Sequence, residues 1–141
     1  MTSQELQERT LAFSLAVYQF IRPLFRDADT RHIAQQLVRC SASVAANYRA
    51  ACLARSPKEW RARLGIVLEE ADESLFWLVF VQRSGLDAGD RAQLDALANE
   101  ARQLARIFGA SYRTSKPRNK EKPTPALSEA KPPPANSQIA K

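Results

Sequence analysis

The chain is poor in the residues that build metal and redox sites. Its 141 residues include one histidine and two cysteines, and Cys40 and Cys52 are twelve positions apart. Both cysteines fall on one predicted helix, over about residues 31–55. Along that helix they are about 18 Å apart, which is too far for a disulfide bond. His32 has no glutamate three positions before it, so the Glu-x-x-His pattern of di-iron bundles is missing. We therefore expect no metal and no cofactor.

Glycine and long apolar runs are also scarce. Four glycines in the whole chain argue against a turn-rich sheet fold, and a hydrophobic content of 45% is enough for a helical core. The longest apolar run, residues 75–81, is far shorter than the roughly 20 residues of a membrane-spanning helix. The first ten residues are polar and charged, unlike a signal peptide. We expect an all-α protein of the cytoplasm with no membrane contact.

Common catalytic combinations are missing too. The chain contains no Ser-His-Asp set, no cysteine-histidine pair and no phosphate-cradling glycine loop. Its densest group of carboxylates is an acidic run of Glu69, Glu70, Asp72 and Glu73, which has no imidazole beside it. If the second and third predicted helices fold back on each other, Arg39 comes level with Asp72. We expect this run to pair with arginine, and we expect no catalytic residue and no enzyme.

The third predicted helix begins and ends with clear signals. Ser56 can cap the free amides, Pro57 suits the first helical position, and Glu59 can complete a capping box. Apolar or small residues then recur in steps of three and four until Gly85, which supplies a C-terminal stop. This segment predicts a rod of roughly 40 Å.

The same helix carries a second apolar side. At about 100° per residue, Phe76 and Phe80 point away from the main apolar seam, and Trp77 lies on its flank. A helix that is apolar on all sides needs partners on all sides. We expect these three residues to form an interface between subunits of a homo-oligomer; the alternative is that a loop or the tail covers them.

Three further helices complete the predicted domain of residues 1–114. The first should run over residues 3–22, the second over about 31–55 with Asp29 or Thr30 as its cap, and the fourth from residues 87–90 to about 112. Short turns between four helices favour an antiparallel up-down-up-down bundle. Residues 115–141 hold six of the eight prolines and many lysines, which predicts a disordered basic tail, either a solvated leash or a nucleic-acid-binding arm.

One polar residue interrupts the apolar seam of the second helix. Asn47 stands where an aliphatic side chain would be expected, among many alanines and serines that allow another helix to approach closely. A buried amide without a hydrogen bond costs roughly 1–3 kcal/mol. Two interpretations remain open: Asn47 fixes the register by bonding across the bundle, or it contacts a ligand or nucleic acid.

The bundle topology gathers positive charge at one end. The formal charge of the chain is +6, and the turn between helices 2 and 3 should lie beside the end of helix 4. The candidate phosphate-binding residues there are Arg49, Arg55, Lys58, Arg61, Arg63, Arg106 and Arg113. In a ring of parallel subunits these residues would share one face and suit a phosphate backbone. Solubilising surface charge is the alternative.

Three segments also resemble a known bacterial family. They are RCSASVAANYRA (residues 39–50), SPKEW (56–60) and EEADESLFWL (69–78). They look like the four-helix bundle proteins encoded in intervening sequences of large-subunit ribosomal RNA, a family related to the accessory variability proteins of diversity-generating retroelements. Many members have Ala-Glu-Gly after the asparagine of helix 2, and this chain departs from that ending.

The resemblance carries its own expectations. It implies an antiparallel four-helix bundle that assembles into a homopentameric ring with a positively charged surface. For the retroelement relatives it also implies nucleic-acid binding and association with a reverse transcriptase. The family's strongest polar pattern has no enzymatic role, and its counterparts here are Arg39, Ser43, Asn47, Glu70, Asp72 and Glu73.

Two functional hypotheses follow. The first is a non-enzymatic, oligomeric protein that binds RNA or an RNA/DNA hybrid through its basic end. The second is a scaffold or accessory protein for a protein partner such as a reverse transcriptase.

Overall fold

A computed structural model describes residues 1–117, and four helices account for most of them. Helix α1 spans Ser3–Ile21, α2 spans Ala28–Cys52, α3 spans Pro57–Arg83 and α4 spans Arg91–Thr114; a 3-10 helix, Arg22–Phe25, joins α1 to α2. No strand occurs in this part of the chain. From residue 118 onward, the predicted disordered tail lies outside the described residues.

The helices form the predicted antiparallel bundle. Helix α1 packs against α2 and α4, and α3 packs against the same two helices on the other side. Across residues 1–117, no Cα atoms of the diagonal pairs α1–α3 and α2–α4 lie within 8 Å of each other. The fold is therefore an all-α, up-down-up-down four-helix bundle. None of these described helices combines the length and apolarity needed to span a membrane.

Side-chain caps fix three of the four helix starts. Thr2 and Glu5 form a capping box at α1, and Asp90 Oδ1 accepts from the Ala92 amide at 2.9 Å in α4. At α3, Ser56 Oγ accepts from the Glu59 amide at 3.1 Å, as predicted. The Glu59 carboxylate reaches one residue further back than a capping box requires and accepts from the Arg55 amide. These bonds satisfy amides that a helix start would otherwise leave free.

Helix α2 begins and ends earlier than predicted. Its N-cap position is held by Asp27, not by Asp29 or Thr30, and the helix ends at Cys52. Thr30 is buried because it has another use: its hydroxyl donates to the Leu24 carbonyl at 2.6 Å. That bond ties the start of α2 to the 3-10 turn before it.

The core contains hydroxyl groups as well as apolar side chains. Thr10, Ser41 and Ser74 are buried, and each donates to a carbonyl in the preceding turn of its own helix. Among the residues described, no buried side-chain nitrogen or oxygen lacks a partner. The hydroxyls therefore lie in the core without the cost of an unsatisfied polar group.

The interpretation of Asn47 as a bond across the bundle is wrong. Asn47 is half-buried, and its amide donates to the Ser43 carbonyl of the same helix at 2.9 Å. The buried seam passes through Tyr48 instead, whose ring packs against Trp60 and Phe108 at centroid distances of 6.4 and 5.2 Å. The large aromatic ring takes the core position, and this turns Asn47 toward the surface.

The burial of Tyr48 makes the free energy of unfolding depend on pH in the alkaline range. Burial, with a smaller effect from Cys52, raises the pKa of Tyr48 to about 12 from an ordinary value of 10.0. The unfolded chain therefore loses this proton first. The contribution of the Tyr48 hydroxyl to the free energy of unfolding is fully present below about pH 10 and is lost as the pH rises toward 12. The loss should reach roughly 1–3 kcal/mol.

We expect Tyr48→Phe to reduce this alkaline loss, because the variant has no hydroxyl to ionise. Urea unfolding at neutral pH and near pH 11 measures it. Tyr18→Phe is the matched control, since the Tyr18 side chain is exposed. An alkaline loss of equal size in Tyr48→Phe and wild type would contradict the assignment.

Candidate nucleic-acid interface

Seven cations lie near one end of the bundle, where the α2–α3 turn meets the last turns of α4. We call this set the basic pole. Five of its side chains are exposed and two, Arg61 and Arg63, are half-buried. The exposed members are Arg49, Arg55, Lys58, Arg106 and Arg113. Antiparallel helices thus bring together residues that are far apart in the chain.

Two carboxylates at this end are already used by the backbone. Glu5 accepts from the Thr2 amide at 2.6 Å, and its hydrogen bonds with Thr2 lower the pKa of Glu5. Glu59 accepts from the Arg55 amide at 3.1 Å. Both carboxylates bind helix starts, and neither forms an ion pair with a cation of the basic pole in the described bundle.

The ion pairs found in residues 1–117 use other arginines. They join Arg9 to Glu100, Arg39 to Glu70 and Glu73, and Arg91 to Asp95. No member of the basic pole pairs with a carboxylate in this set. The positive charge of the pole is therefore not cancelled by close contacts within the described bundle, and its field reaches the solvent.

Arg61 differs from the other members because it holds the end of α4. Its Nη1 donates to the Tyr112 carbonyl at 2.7 Å and to Ser115 Oγ at 3.1 Å. Its guanidinium also lies 3.9 Å from the centre of the Tyr112 ring. Gly65 makes room for this ring, since an added Cβ would stand 3.3 Å from Tyr112 Cε2. The geometry thus gives Arg61 a structural role.

Sequence reasoning missed Tyr112, Ser115 and Gly65 as neighbours of the basic pole. The available signal was Gly65, a helix-weakening residue in the middle of a long helical pattern. Such a glycine indicates a close approach by another side chain, although the sequence does not identify which one.

Arg39 pairs with the acidic run of α3, as predicted. Its Nη1 lies 3.2 Å from both carboxylate oxygens of Glu70, and its Nη2 donates to Glu73. The hydrogen bond to Glu73 is the main cause that raises the pKa of Arg39. Asp72 does not join this pair and instead lies beside Phe76 and Phe80. Within residues 1–117, no three acidic, cysteine or histidine side chains are grouped to hold a metal ion.

The second apolar side of α3 is open to solvent in the described structure. Phe76 and Phe80 are 56% and 44% exposed. Trp77 is half-buried, and its ring lies edge-on to both, with centroid distances of 5.1 and 5.4 Å. Trp77 also meets His32 of α2 edge to face at 5.9 Å. We call Phe76, Trp77 and Phe80 the aromatic face.

Comparison with protein families gives a match over most of the bundle. The model described as 23S rRNA-intervening sequence protein matches residues 3–110. The chain belongs to this family. The resemblance in helices 2 and 3 is thereby confirmed, and three residues of the polar pattern in this family member, Arg39, Glu70 and Glu73, form ion pairs between α2 and α3. A comparison with curated proteins finds no match.

A solved structure has the same fold. It is a crystal structure of a protein of unknown function from the S23 ribosomal protein family of Bacteroides thetaiotaomicron. The two chains share 22% identity with a TM-score of 0.71, and the match covers 80% of this chain and 99% of the other. This likeness supports the bundle fold of the family member described here.

The contacts of Arg61 predict a structural rather than a binding defect on substitution. Arg61→Ala removes two hydrogen bonds and one stacking contact, so we expect it to lower the free energy of unfolding by about 1–2 kcal/mol. Arg55→Ala, at an exposed side chain of the same charge, should stay within about 0.5 kcal/mol of wild type. Urea unfolding compares them, and equal stability of the two variants would contradict the role of Arg61.

Proposed function

We propose that this protein is a non-enzymatic, homo-oligomeric nucleic-acid-binding protein. Its ligand is RNA or an RNA/DNA hybrid, held by the exposed cations of the basic pole. The observation that carries the proposal is the state of these cations: they lie at one end of the bundle, and the described ion pairs leave them out. A cluster of this kind suits an anionic polymer.

The chemistry of the basic pole indicates contact with phosphates rather than with base edges. Arginine and lysine neutralise phosphates and release condensed counterions, which makes binding depend steeply on salt. Such contacts position a protein on nucleic acid without reading its sequence. We therefore expect a preference for shape and charge density over a particular sequence.

Assembly would strengthen this binding. The family resemblance implies five copies in a ring, and parallel subunits would set five basic poles around one rim. Each pole then engages the same polymer at a high effective concentration, so that total affinity exceeds that of one copy. The aromatic face is the surface that we assign to contacts between subunits.

The family description makes RNA the first ligand to test. It refers to an intervening sequence of 23S rRNA. A structured RNA hairpin and an RNA/DNA hybrid of equal length therefore serve as probes. Comparing them distinguishes recognition of RNA from recognition of any duplex of similar shape.

We expect the affinity for the RNA hairpin to fall steeply between about 50 and 200 mM salt. The double variant Arg55→Glu with Lys58→Glu should weaken binding at least tenfold at low salt. It should also reduce the slope of log affinity against log salt by about 1.5, because each phosphate contact contributes roughly 0.7–0.9 to that slope. Fluorescence anisotropy measures both quantities.

The matched control reverses the same number of charges away from the basic pole. Arg26 and Arg31 are exposed near the start of α2, so Arg26→Glu with Arg31→Glu changes the net charge equally. This control should retain most of the affinity. Equal weakening in both double variants would show a general charge effect and would remove the basic pole from the proposal.

The exposed aromatic face also favours a second candidate, a scaffold for a protein partner such as a reverse transcriptase. Protein interfaces are enriched in aromatic residues at their centres. Co-purification from the native host with nuclease present separates the two functions. A polymerase that stays bound to wild type but not to Phe76→Asp with Phe80→Asp, together with salt-insensitive RNA binding, would favour the scaffold.

A further inference from the structure

A second apolar surface lies on α1, outside its buried seam. Leu11, Leu15 and Tyr18 are 47%, 51% and 46% exposed, and their spacing places them on one side of the helix. We call these three residues the α1 stripe. Neither the core nor the nucleic-acid proposal accounts for it. This row was not predicted from the sequence.

The α1 stripe and the aromatic face belong to helices that are diagonal in the bundle. Helices α1 and α3 each contact α2 and α4, and in the described residues no Cα atom of α1 lies within 8 Å of a Cα atom of α3. The two surfaces therefore point in different directions. One copy of the protein cannot bring them together, whereas two copies can.

The two surfaces lie at the same height along the bundle. Arg9 of α1 bonds to Glu100 of α4 at 2.8 Å. Two hydrogen bonds connect α3 to α4: Gln82 donates to Asp95, and Arg61 donates to the Tyr112 carbonyl. Counting along these antiparallel helices sets Glu100, and hence Arg9, level with residues 73–77 of α3. Leu11 and Leu15 are then within about one turn of Phe76 and Phe80.

We propose that the aromatic face of one copy packs on the α1 stripe of the next copy, with the two bundles parallel. This contact rests on the homo-oligomer in the proposed function and identifies both of its surfaces. It is a head-to-tail contact, because two different surfaces meet. Repeated by rotation, it closes a ring in which every basic pole lies on the same rim.

The size of the two surfaces fits a contact between proteins. Phe76, Phe80 and Tyr18 each expose about half of some 200 Å². With Leu11 and Leu15, the exposed apolar area of the two surfaces together is roughly 400 Å². That is about half of the apolar area in a standard interface of about 1,600 Å². The polar remainder would come from the flanking side chains of α1 and α3.

The C-terminal segment is a poorer occupant than a second copy. Residues 118–141 contain only two large aliphatic side chains, Leu127 and Ile139, which are twelve positions apart, and no aromatic residue. These side chains cannot fill a surface of two phenylalanines and a tryptophan. A two-fold contact of α3 with α3 would cover the aromatic face but leave the α1 stripe in water.

The parallel arrangement also predicts an electrostatic signature. Glu8 precedes Arg9 in the chain and so lies near the height of Asp72, and both carboxylates are exposed. In the proposed contact these like charges approach each other at its edge. Glu8→Lys should therefore tighten assembly by roughly two- to fivefold. A two-fold α3–α3 contact places Asp72 near Arg83 of the other copy and would not respond to Glu8.

The decisive experiment mixes two defective variants. Phe76→Asp with Phe80→Asp disables the aromatic face, and Leu11→Asp with Leu15→Asp disables the α1 stripe. Each variant alone should have the mass of one copy by light scattering. Their mixture should form a 1:1 pair, because each partner contributes the surface that the other lacks. Leu53→Asp, an exposed leucine outside both surfaces, should keep the wild-type mass.

The outcomes separate this contact from the rest of the proposed function. A Leu11→Asp, Leu15→Asp variant that keeps the wild-type mass would overturn the contact and leave oligomerisation intact. Two single-copy variants that do not pair on mixing would overturn it as well. A wild-type chain with the mass of one copy would remove both the contact and the oligomer, while RNA binding by the basic pole would still be measured independently.

Cross-linking keeps the test valid if the aspartate variants fold poorly. Leu15→Cys and Phe80→Cys are made in separate chains, each with Cys52→Ser, and joined with a short bifunctional maleimide. Cross-linked pairs should form in the mixture and not in either variant alone. Cross-linking of Phe80→Cys with itself would indicate a two-fold α3–α3 contact and overturn the proposal.

Discussion

Helix α3 carries apolar side chains on two sides, and the rest of the structure depends on this constraint. Its inner side packs between α2 and α4, where Leu64, Leu78 and Val81 are buried. Its outer side presents Phe76 and Phe80 to solvent. The inner side is buried when one chain folds, and the outer side is the surface on which we propose that a second molecule packs. The fold and the proposed assembly are thus two consequences of one helix.

Local signals predicted the fold well because each acts over one helical turn. Ser56 and Gly85 stand where a cap and a stop were expected: Ser56 accepts from the Glu59 amide, and Gly85 has a positive φ just after α3. Predictions failed where two neighbours competed for one place. Asn47 and Tyr48 are adjacent, and periodicity alone could not decide that the aromatic ring of Tyr48 enters the core, because its partners Trp60 and Phe108 come from two other helices.

The location of the candidate site was predictable from the sequence, but the different roles of its cations were not. The topology alone places the seven cations of the basic pole near one end of the bundle. Charge and spacing give no sign that Arg61 holds Tyr112 and Ser115 while Arg55 faces solvent. That difference arises from a glycine one turn away, which lets an aromatic ring lie against α3. Contacts of this kind depend on three-dimensional neighbours and leave little trace in composition.

The direction of assembly links the aromatic face to the basic pole. If copies pair with their bundles parallel, all basic poles lie on one rim, and like charges on that rim repel one another. The apolar contact between α3 of one copy and α1 of the next must outweigh this repulsion. Salt and a bound polyanion both reduce the repulsion. Nucleic acid would therefore stabilise the ring as the ring strengthens binding, because the two equilibria are linked. An antiparallel pairing would place the poles at opposite ends and remove this coupling.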